Sequence, residues 1–280
     1  MIDLHTHTTA SDGRCTPPEL VARASAAGVV VLSVTDHDTV AGCVPVAAAC
    51  RAASIEFVTG IEVTAVLDGI DVHVLGYFID PASPEFADFL SKQRRVRIDR
   101  LRQIVALLAG HGIVLDADAI LKRAIDDPSV AAGRPWIARA LVDAGHVPTT
   151  NEAFRVWLTP GRPAFVPRAG ATPDEVIDRI HSAHGIAAVA HPGLRIRDEW
   201  LPQWVERSGL DAIEAYHPDH DAPTTRRYVA LAARLGVAVS GGSDFHGDQS
   251  HGASIGSVSL PRQAYQRLVE LKGNQPDLPL

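Results

Sequence analysis

The sequence predicts an α/β barrel interrupted by a helical insertion. Three observations carry that reading. Short apolar runs bounded by turn signals alternate with capped amphipathic helices, giving about seven or eight βα units. Histidines and carboxylates recur at or just past the C-terminal ends of predicted strands: His5, His7, His37, Glu62, His191, His217, Asp244 and His246. In a barrel those ends converge on one face, so distant residues become neighbours. Between about Pro84 and Leu158 the alternation stops and only helices are predicted. A doubly wound open sheet is the alternative arrangement of the same units.

The elements follow in order. A short strand, Ile2 to Leu4, ends in His5-Thr6-His7. Thr16-Pro17-Pro18-Glu19 is a capping box with proline at the first helical position, and its helix stops at Gly28. The run Val29 to Val34 is continuously apolar but for Ser33, as expected of a strand buried on both faces. It ends in Thr35-Asp36-His37. A helix over Ala41 to Ala53 leads to a strand at Ile55 to Thr59, followed by Gly60-Ile61-Glu62. Asp68-Gly69 between two β-rich runs predicts a hairpin, whose second arm holds His73.

The helical block opens at Ser83-Pro84 with a long helix ending at Gly110-His111-Gly112. Shorter helices follow near Asp116 to Ile125, Arg134 to Ala144 and Asn151 to Leu158. Alternation resumes with a second capping box, Thr172-Pro173-Asp174-Glu175, opening a helix that closes at Gly185. Strands at Ile186 to Ala190, Asp211 to Tyr216 and Val237 to Ser240 are separated by helices near Asp198 to Arg207 and Pro223 to Leu235. Ile255 to Leu260 is expected to add one more strand before a last helix. The domain reading is therefore a discontinuous barrel, residues 1–98 and 166–280, with residues 99–165 as a helical insertion.

Composition narrows the class. Apolar residues at 46% and charged residues at 21% are ordinary globular values, which excludes a disordered or coiled-coil chain. No apolar run approaches the roughly 18 residues of a membrane span. The N-terminal stretch has neither a basic nor an apolar signal region. Three cysteines give no disulfide framework, so a cytoplasmic protein is expected. The net charge of −7 disfavours duplex DNA, so an anionic substrate must meet a local basic patch or a metal. The 13 histidines outnumber the seven phenylalanines, and histidine is the commonest metal ligand.

Placement gives those histidines meaning. His5 and His7 lie two apart at a strand end, as do Asp244 and His246, so each pair shares a face. Six imidazoles with three carboxylates imply more than one ion. Mixed nitrogen and oxygen ligands suit manganese, iron, zinc or cobalt, and the absence of cysteine argues against a thiolate zinc site. Sites of this composition lower the pKa of bound water and clamp displacements at phosphorus.

Asp3-Leu4-His5-Thr6-His7 with Ser11-Asp12-Gly13, then Thr35-Asp36-His37, Gly60-Ile61-Glu62, His73, His191-Pro192 and Ser243-Asp244-Phe245-His246, together resemble the PHP (polymerase and histidinol phosphatase) family. The motifs span residues 3 to 246 in matching order, spacing and type. The resemblance implies a distorted (β/α)7 barrel and a phosphoesterase site holding two or three divalent ions, manganese first, with iron or zinc as alternatives. It implies that His5, His7, Glu62 and Asp244 hold the first ion and that Asp12, His37 and His246 hold the second. Glu62 bridges to a third, held with His73 and His191. Asp3 and Asp36 are implied acceptors that fix imidazole tautomers, and a hydroxide bridging two ions is the implied nucleophile. Glu62 and Asp244 are thus candidate catalytic carboxylates. The helical insertion after His73 resembles one subgroup, bacterial 3′,5′-nucleotide bisphosphate phosphatases and 5′→3′ exoribonucleases, which implies that residues 99–165 cap the active site.

Anion recognition is expected from basic residues. The run Lys92 to Arg102 carries six basic residues and one acid, and helical spacing places Lys92, Arg95 and Arg102 near one face. That face is either solvated or a phosphate patch. Gly133-Arg134-Pro135 opens a helix whose N-terminus favours anions, which makes Arg134 the leading phosphate ligand and Arg139 a second on the same helix. His217 matches no ligand position and is a candidate proton donor or phosphate ligand. The expected function is hydrolysis of the 3′-phosphate of nucleoside 3′,5′-bisphosphates, such as adenosine 3′,5′-bisphosphate. The alternative is 5′→3′ exoribonuclease action on short 5′-phosphorylated RNA. A histidinol-phosphate-type phosphatase and a non-catalytic metal-binding scaffold are weaker readings. The partner is a small nucleotide or a very short RNA.

Overall fold

The computed structural model describes residues 1–127, 129–194, 196–247 and 253–273. Residues 248–252 and 274–280, which the sequence reading assigns to the barrel, lie outside them. Seven strands form one sheet in sequence order: β1 (Ile2–Asp3), β2 (Val31–Val34), β3 (Glu56–Leu67), β4 (Ile70–Tyr77), β5 (Ile186–Val189), β6 (Ala212–Tyr216) and β7 (Ala238–Gly241). The sheet curls until its edges meet. The Leu4 amide donates to the Gly241 carbonyl at 3.2 Å and the His7 amide to the Phe245 carbonyl at 2.9 Å. The result is a nearly closed seven-strand barrel.

The ladder is not wholly parallel, as the βα pattern predicts. β4 pairs antiparallel with both β3 and β5, while the other described pairs are parallel. The cause is the two-residue turn. Asp68 and Gly69 both take positive φ, 51° and 77°, which matches the twist of a tight hairpin and sends the chain straight back. β3 also runs on through Gly60 and Glu62 to Leu67 instead of ending at Thr59. Ile255 to Leu260 forms no strand. Gly256 turns there with φ 70°, its amide donates to Asp3, and the Leu260 amide donates to the Ile2 carbonyl.

Helices α1 (Pro17–Ala26), α2 (Cys43–Ala52), α7 (Pro173–Ser182), α8 (Trp200–Ser208), α9 (Ala222–Leu235) and α10 (Arg262–Gly273) belong to the barrel segments. Both capping boxes form, at Thr16–Glu19 and Thr172–Glu175. The insertion holds α3 (Pro84–Gly110), α4 (Ala117–Asp126), α5 (Arg134–Asp143), the single turn α6 (Thr150–Ala153) and a π-helical turn over Phe154–Leu158. α3 joins two cores. Phe86 and Leu90 pack with the outer barrel layer, whereas Ile98, Leu101, Ile104 and Leu108 build the core of the insertion.

Strand periodicity sorts side chains by height inside the barrel. Val58, Tyr77, Ile186, Ala212 and Ala238 share an apolar cluster with Tyr265 and Leu268 of α10. Going up β3 on the same face come Gly60, Glu62 and Thr64; up β4 come Leu75, His73 and Asp71. The interior passes from an apolar floor to a charged mouth. Contacts between the helical block and the barrel loops include Ala131 to Ala10, Thr39 to Ser129, and Arg123 to the Thr9 carbonyl.

Candidate active site

The mouth gathers every proposed metal ligand from six strands: Glu62 and His73 from within β3 and β4, the others from the ends of β1, β2, β5 and β7 or the loops after them. His5 Nε2 lies 3.3 Å from Glu62 Oε2 and 3.2 Å from Asp244 Oδ1. His7 Nε2 lies 3.3 and 3.1 Å from the same two oxygens. His37 Nδ1 approaches Glu62 Oε2 at 3.2 Å. On the carboxylate's other oxygen, Oε1, sit His73 Nδ1 at 2.7 Å and His191 Nε2 at 3.2 Å. His246 Nε2 lies 3.3 Å from Asp12 Oδ1 and His37 Nε2 lies 3.9 Å from Asp12 Oδ2. Glu62 is the hub, reached from both sides.

Three sets of candidate ligand atoms fall within 4.8 Å of one another: His5, His7, Glu62 and Asp244; His7, Asp12, His37 and His246; and His37, Glu62 and His73. His7 and His37 each belong to two sets, where the sequence reading gave each one, and His191, which it gave to the third ion, belongs to none of the three, though its Nε2 lies 3.2 Å from Glu62 Oε1. The donor set fits divalent cations. His5 Nε2, His7 Nε2, His37 Nδ1, His73 Nδ1 and Glu62 Oε2 are buried without a hydrogen bond, yet they point at one another. Buried polar atoms are otherwise paired, so converging unpaired donors are the mark of an ion site.

Electrostatics agree with tight coupling. Burial would raise the Glu62 carboxyl, but His37, His73 and His5 outweigh it and hold it well below its usual range. Burial would likewise raise Asp244 and Asp12, and their histidine neighbours hold both well below. Burial pushes His37 down to about 3, toward the neutral form a ligand needs. Burial would lower His246, but Asp12 and Asp244 lift it to about 10.

Asp3 and Asp36 act differently from expectation. Among the described residues, neither touches an imidazole nitrogen as a partner. Asp36 accepts from the Thr8 amide, the Thr8 hydroxyl and the Ser11 hydroxyl, each at 2.7 Å. Asp3 accepts from the Ser243 amide at 2.8 Å and hydroxyl at 2.6 Å, and from the Gly256 amide. A short buried carboxylate is satisfied by the nearest amides and hydroxyls, so both residues brace the loops that carry the candidate ligands. The acceptor that faces a candidate ligand ring is Glu214. Its Oε1 faces His5 Nδ1 at 2.9 Å and its Oε2 takes the His191 amide at 2.6 Å. Sequence reasoning missed it, although a lone acid in the apolar strand Ala212–Tyr216 was its signal.

His217 joins the cluster. Its Nδ1 accepts from the Asp219 amide at 3.1 Å, which leaves the hydrogen on Nε2. That atom is buried without a hydrogen bond, 3.5 Å from Asp244 Oδ2.

A cavity of about 300 Å³ opens above the cluster, lined by Asp12, His37, Glu62, His73, His191, Asp244 and His246 and by Arg97, Arg134 and Arg168. Arg134 bonds Asp71 at 3.2 Å; Arg168 lies 3.4 Å from Asp71 and 3.8 Å from Asp38; Arg97 pairs with Asp38 and bonds Thr64 at 3.1 Å. Arg100 stands behind them on Val166. Burial, reinforced by Arg97, pushes the Arg168 guanidinium down to about 9. Four guanidinium groups against two carboxylates leave this wall cationic.

The other proposed anion ligands lie elsewhere. Lys92 is exposed and paired with Asp88 at 2.7 Å, and Arg95 lines a separate shallow depression with Arg102. The reason is helical phase. The buried stripe of α3 runs Phe86, Leu90, Arg97, Leu101, Ile104, Leu108, so Lys92 and Arg95 face outward and Arg97 faces the mouth. An arginine on an apolar stripe was the readable signal. Arg139 opens on a neighbouring groove, not on the cavity that holds Arg134. Arg168, on a loop, carries no periodic signal.

A family model described as the PHP domain matches residues 3–125. A 3′,5′-nucleoside bisphosphate phosphatase of Chromobacterium violaceum is 36% identical over 91% of this chain and 90% of its own length. The chain belongs to the PHP family. A 5′-3′ exoribonuclease of Haemophilus influenzae is 35% identical, covering 87% of this chain and 89% of that protein. Among solved structures, an amidohydrolase from Chromobacterium violaceum with bound sulfate and no metal superposes with a TM-score of 0.84 at 34% identity, covering 95% of this chain and 96% of that one. These PHP relatives support reading the chain as a phosphoesterase. Among the described residues no helix is long and apolar enough to cross a membrane.

Proposed function

We propose that this PHP protein removes the 3′-phosphate from nucleoside 3′,5′-bisphosphates, leaving the 5′-monophosphate. The observation that carries the reading is the pairing, in one cavity, of an ion-ready cluster with a cationic wall. A ligand with two phosphates uses both. His5, His7, Glu62 and Asp244 would hold one divalent ion, Asp12, His37 and His246 with His7 a second, and Glu62, His73 and His191 a third; manganese is the ion of choice. Such ions, when bound, neutralise phosphoryl oxygens and acidify water.

The chain's own groups do the rest. Arg134, Arg97 and Arg168 grip the 5′-phosphate as charge-assisted donors. Phe154, Leu194 and Ile196 offer apolar contact to the nucleoside. His217, whose Nε2 lies 3.5 Å from Asp244 Oδ2, is the proposed donor of a proton to the departing 3′-oxygen. Residues 99–165 close over the substrate as a cap. A second reading, 5′→3′ cleavage of short 5′-phosphorylated RNA, breaks the same bond with a longer phosphate substituent, and the resemblance to the exoribonuclease favours it.

The test is phosphate release from adenosine 3′,5′-bisphosphate, 5′-AMP, 3′-AMP and histidinol phosphate, with Mn²⁺ and with chelator. Fast release from the bisphosphate alone, lost in chelator and in Asp244→Asn with the fold intact, supports the proposal. Equal turnover of histidinol phosphate overturns it.

A further inference from the structure

A groove of about 340 Å³ lies beside the cavity, lined by Asp12, Ile120, Arg123, Trp136, Arg139 and Asp143 among others. Asp12 belongs to both spaces, so they meet at the ion-ready cluster. Helix α5 links them. Its first turn, at Arg134 and Pro135, lines the cavity, and Trp136 and Arg139 line the groove. Arg139 is partly exposed and has no ion pair or hydrogen bond among the described residues. Trp136 packs on the insertion core and also reaches the groove. Arg123 donates to the Thr9 carbonyl at the groove wall. An aromatic ring flanked by guanidinium groups is the chemistry that binds single-stranded nucleic acid, through stacking and phosphate contact.

We infer that this groove is the subsite for the nucleotide on the 3′ side of the scissile phosphate in a short single-stranded RNA. The inference rests on the proposed reading, in which that phosphate sits at the cluster and the 5′-phosphate on the arginine wall. Trp136 stacks on the base beyond the cleaved bond and Arg139 meets the next phosphate. Asp143, at the groove's edge, limits the anionic length it takes. Water oxygen bonds to phosphorus, the bond from phosphorus to the 3′-oxygen breaks, and that oxygen leaves with the electron pair and takes a proton. The products are a 5′-mononucleotide with a free 3′-hydroxyl and an RNA one nucleotide shorter carrying a 5′-phosphate. A nucleoside bisphosphate leaves the groove unused.

The experiment compares kcat/KM for a 5′-phosphorylated RNA pentamer and for adenosine 3′,5′-bisphosphate, with Mn²⁺, in the full-length protein, Arg139→Ala and Trp136→Leu. The pentamer-to-bisphosphate ratio is expected to fall about tenfold in each variant. In chelator, anisotropy of a pentamer labelled at its 3′ end is expected to report a similar loss of affinity in Arg139→Ala, whose side chain is not in the core. A ratio and an affinity unchanged within about twofold in that variant overturn the inference. If the unmutated protein hydrolyses the bisphosphate but leaves the pentamer whole, the inference falls and the proposed function stands. If it hydrolyses neither, both fall.

Discussion

Glu214 holds His5. The carboxylate faces His5 Nδ1 at 2.9 Å, and Nε2 on the far side of the ring faces Glu62 and Asp244. Burial would raise the Glu214 carboxyl, but His5, His217 and His191 outweigh it and keep it ionised. Its other oxygen takes the His191 amide, so one side chain serves two candidate ligands.

Glu214→Gln should therefore weaken Mn²⁺ binding by about 10- to 100-fold, the usual cost of losing a ligand's outer partner. Glutamine offers one acceptor where two donors arrive. Isothermal titration with Mn²⁺ reads the effect directly. Unchanged affinity with a lowered melting temperature would reduce Glu214 to a packing role.

Arg134 should discriminate between substrates. Arg134→Ala is expected to raise KM for adenosine 3′,5′-bisphosphate by about 10-fold or more, since a hydrogen bond to a charged group is worth about 1.5–3 kcal/mol. KM for 3′-AMP, which has no 5′-phosphate, should change far less. Equal effects on the two would remove Arg134 from phosphate recognition.

The cationic wall predicts a stability effect as well. Arg168 is largely buried beside Arg97 and Arg100, and burial disfavours its charge. An anion that binds only the folded state raises stability by mass action. Inorganic sulfate, added at constant ionic strength, should lift the melting temperature more in the unmutated protein than in Arg168→Gln. Identical shifts would mean that sulfate acts elsewhere.

How much of this was legible depends on the kind of signal. The convergence of His5, His37, His191 and Asp244 could be read because strand-end position is a property of local sequence; Glu62 joins them from within β3, which runs on past the end that the sequence predicts. The direction of β4 could not be read from βα alternation, since one tight turn at Asp68-Gly69 decides it. Arg97 and Glu214 were readable in principle: each breaks an apolar pattern, one on a helix stripe and one within a strand. Lys92 and Arg95 were misplaced because charge density was weighed above helical phase. Arg168 and the groove at Arg139 arise between elements far apart in sequence, where no periodicity reports them.

Gly242 tests how closely the closing edge is packed. A Cβ there would stand 2.3 Å from the His5 amide nitrogen and 2.5 Å from His5 Cβ. Something must shift, and the rigid candidate is the strand that carries His5. Gly242→Ala should cost about 1–3 kcal/mol in urea denaturation and weaken Mn²⁺ binding together. Gly110→Ala is the control, because nothing lies within 4 Å of its Cβ position. That helical substitution should be neutral or stabilising by up to about 1 kcal/mol. Equal stability of the two variants would show that the barrel edge yields freely.

His220 supplies a pH-dependent element beside the site. Its Nδ1 faces the Ala215 carbonyl at 3.0 Å, and its Nε2 accepts from the Gly193 amide at 3.1 Å. The Gly193 contact requires the neutral ring, whereas the Nδ1–H donation to Ala215 survives protonation. Around it stand the His217 ring at 5.4 Å and the Tyr228 ring of α9 at 5.4 Å, with His191 and Glu214 acting at longer range. Burial lowers its pKa below 6.5; the Ala215 bond opposes that shift and His217 adds to it. The unfolded chain then binds more protons than the folded one just below pH 6.5, so stability there rises with pH. The contribution is complete above about pH 6.5 and is lost as pH falls toward the folded-state value. His220→Gln keeps one donor and one acceptor but cannot titrate. In chelator, the stability difference between the unmutated protein and this variant should shrink steadily from pH 7 to pH 5. A difference that stays constant over that range would mean that His220 does not titrate in the fold, and that the Gly193 loop is held by another contact.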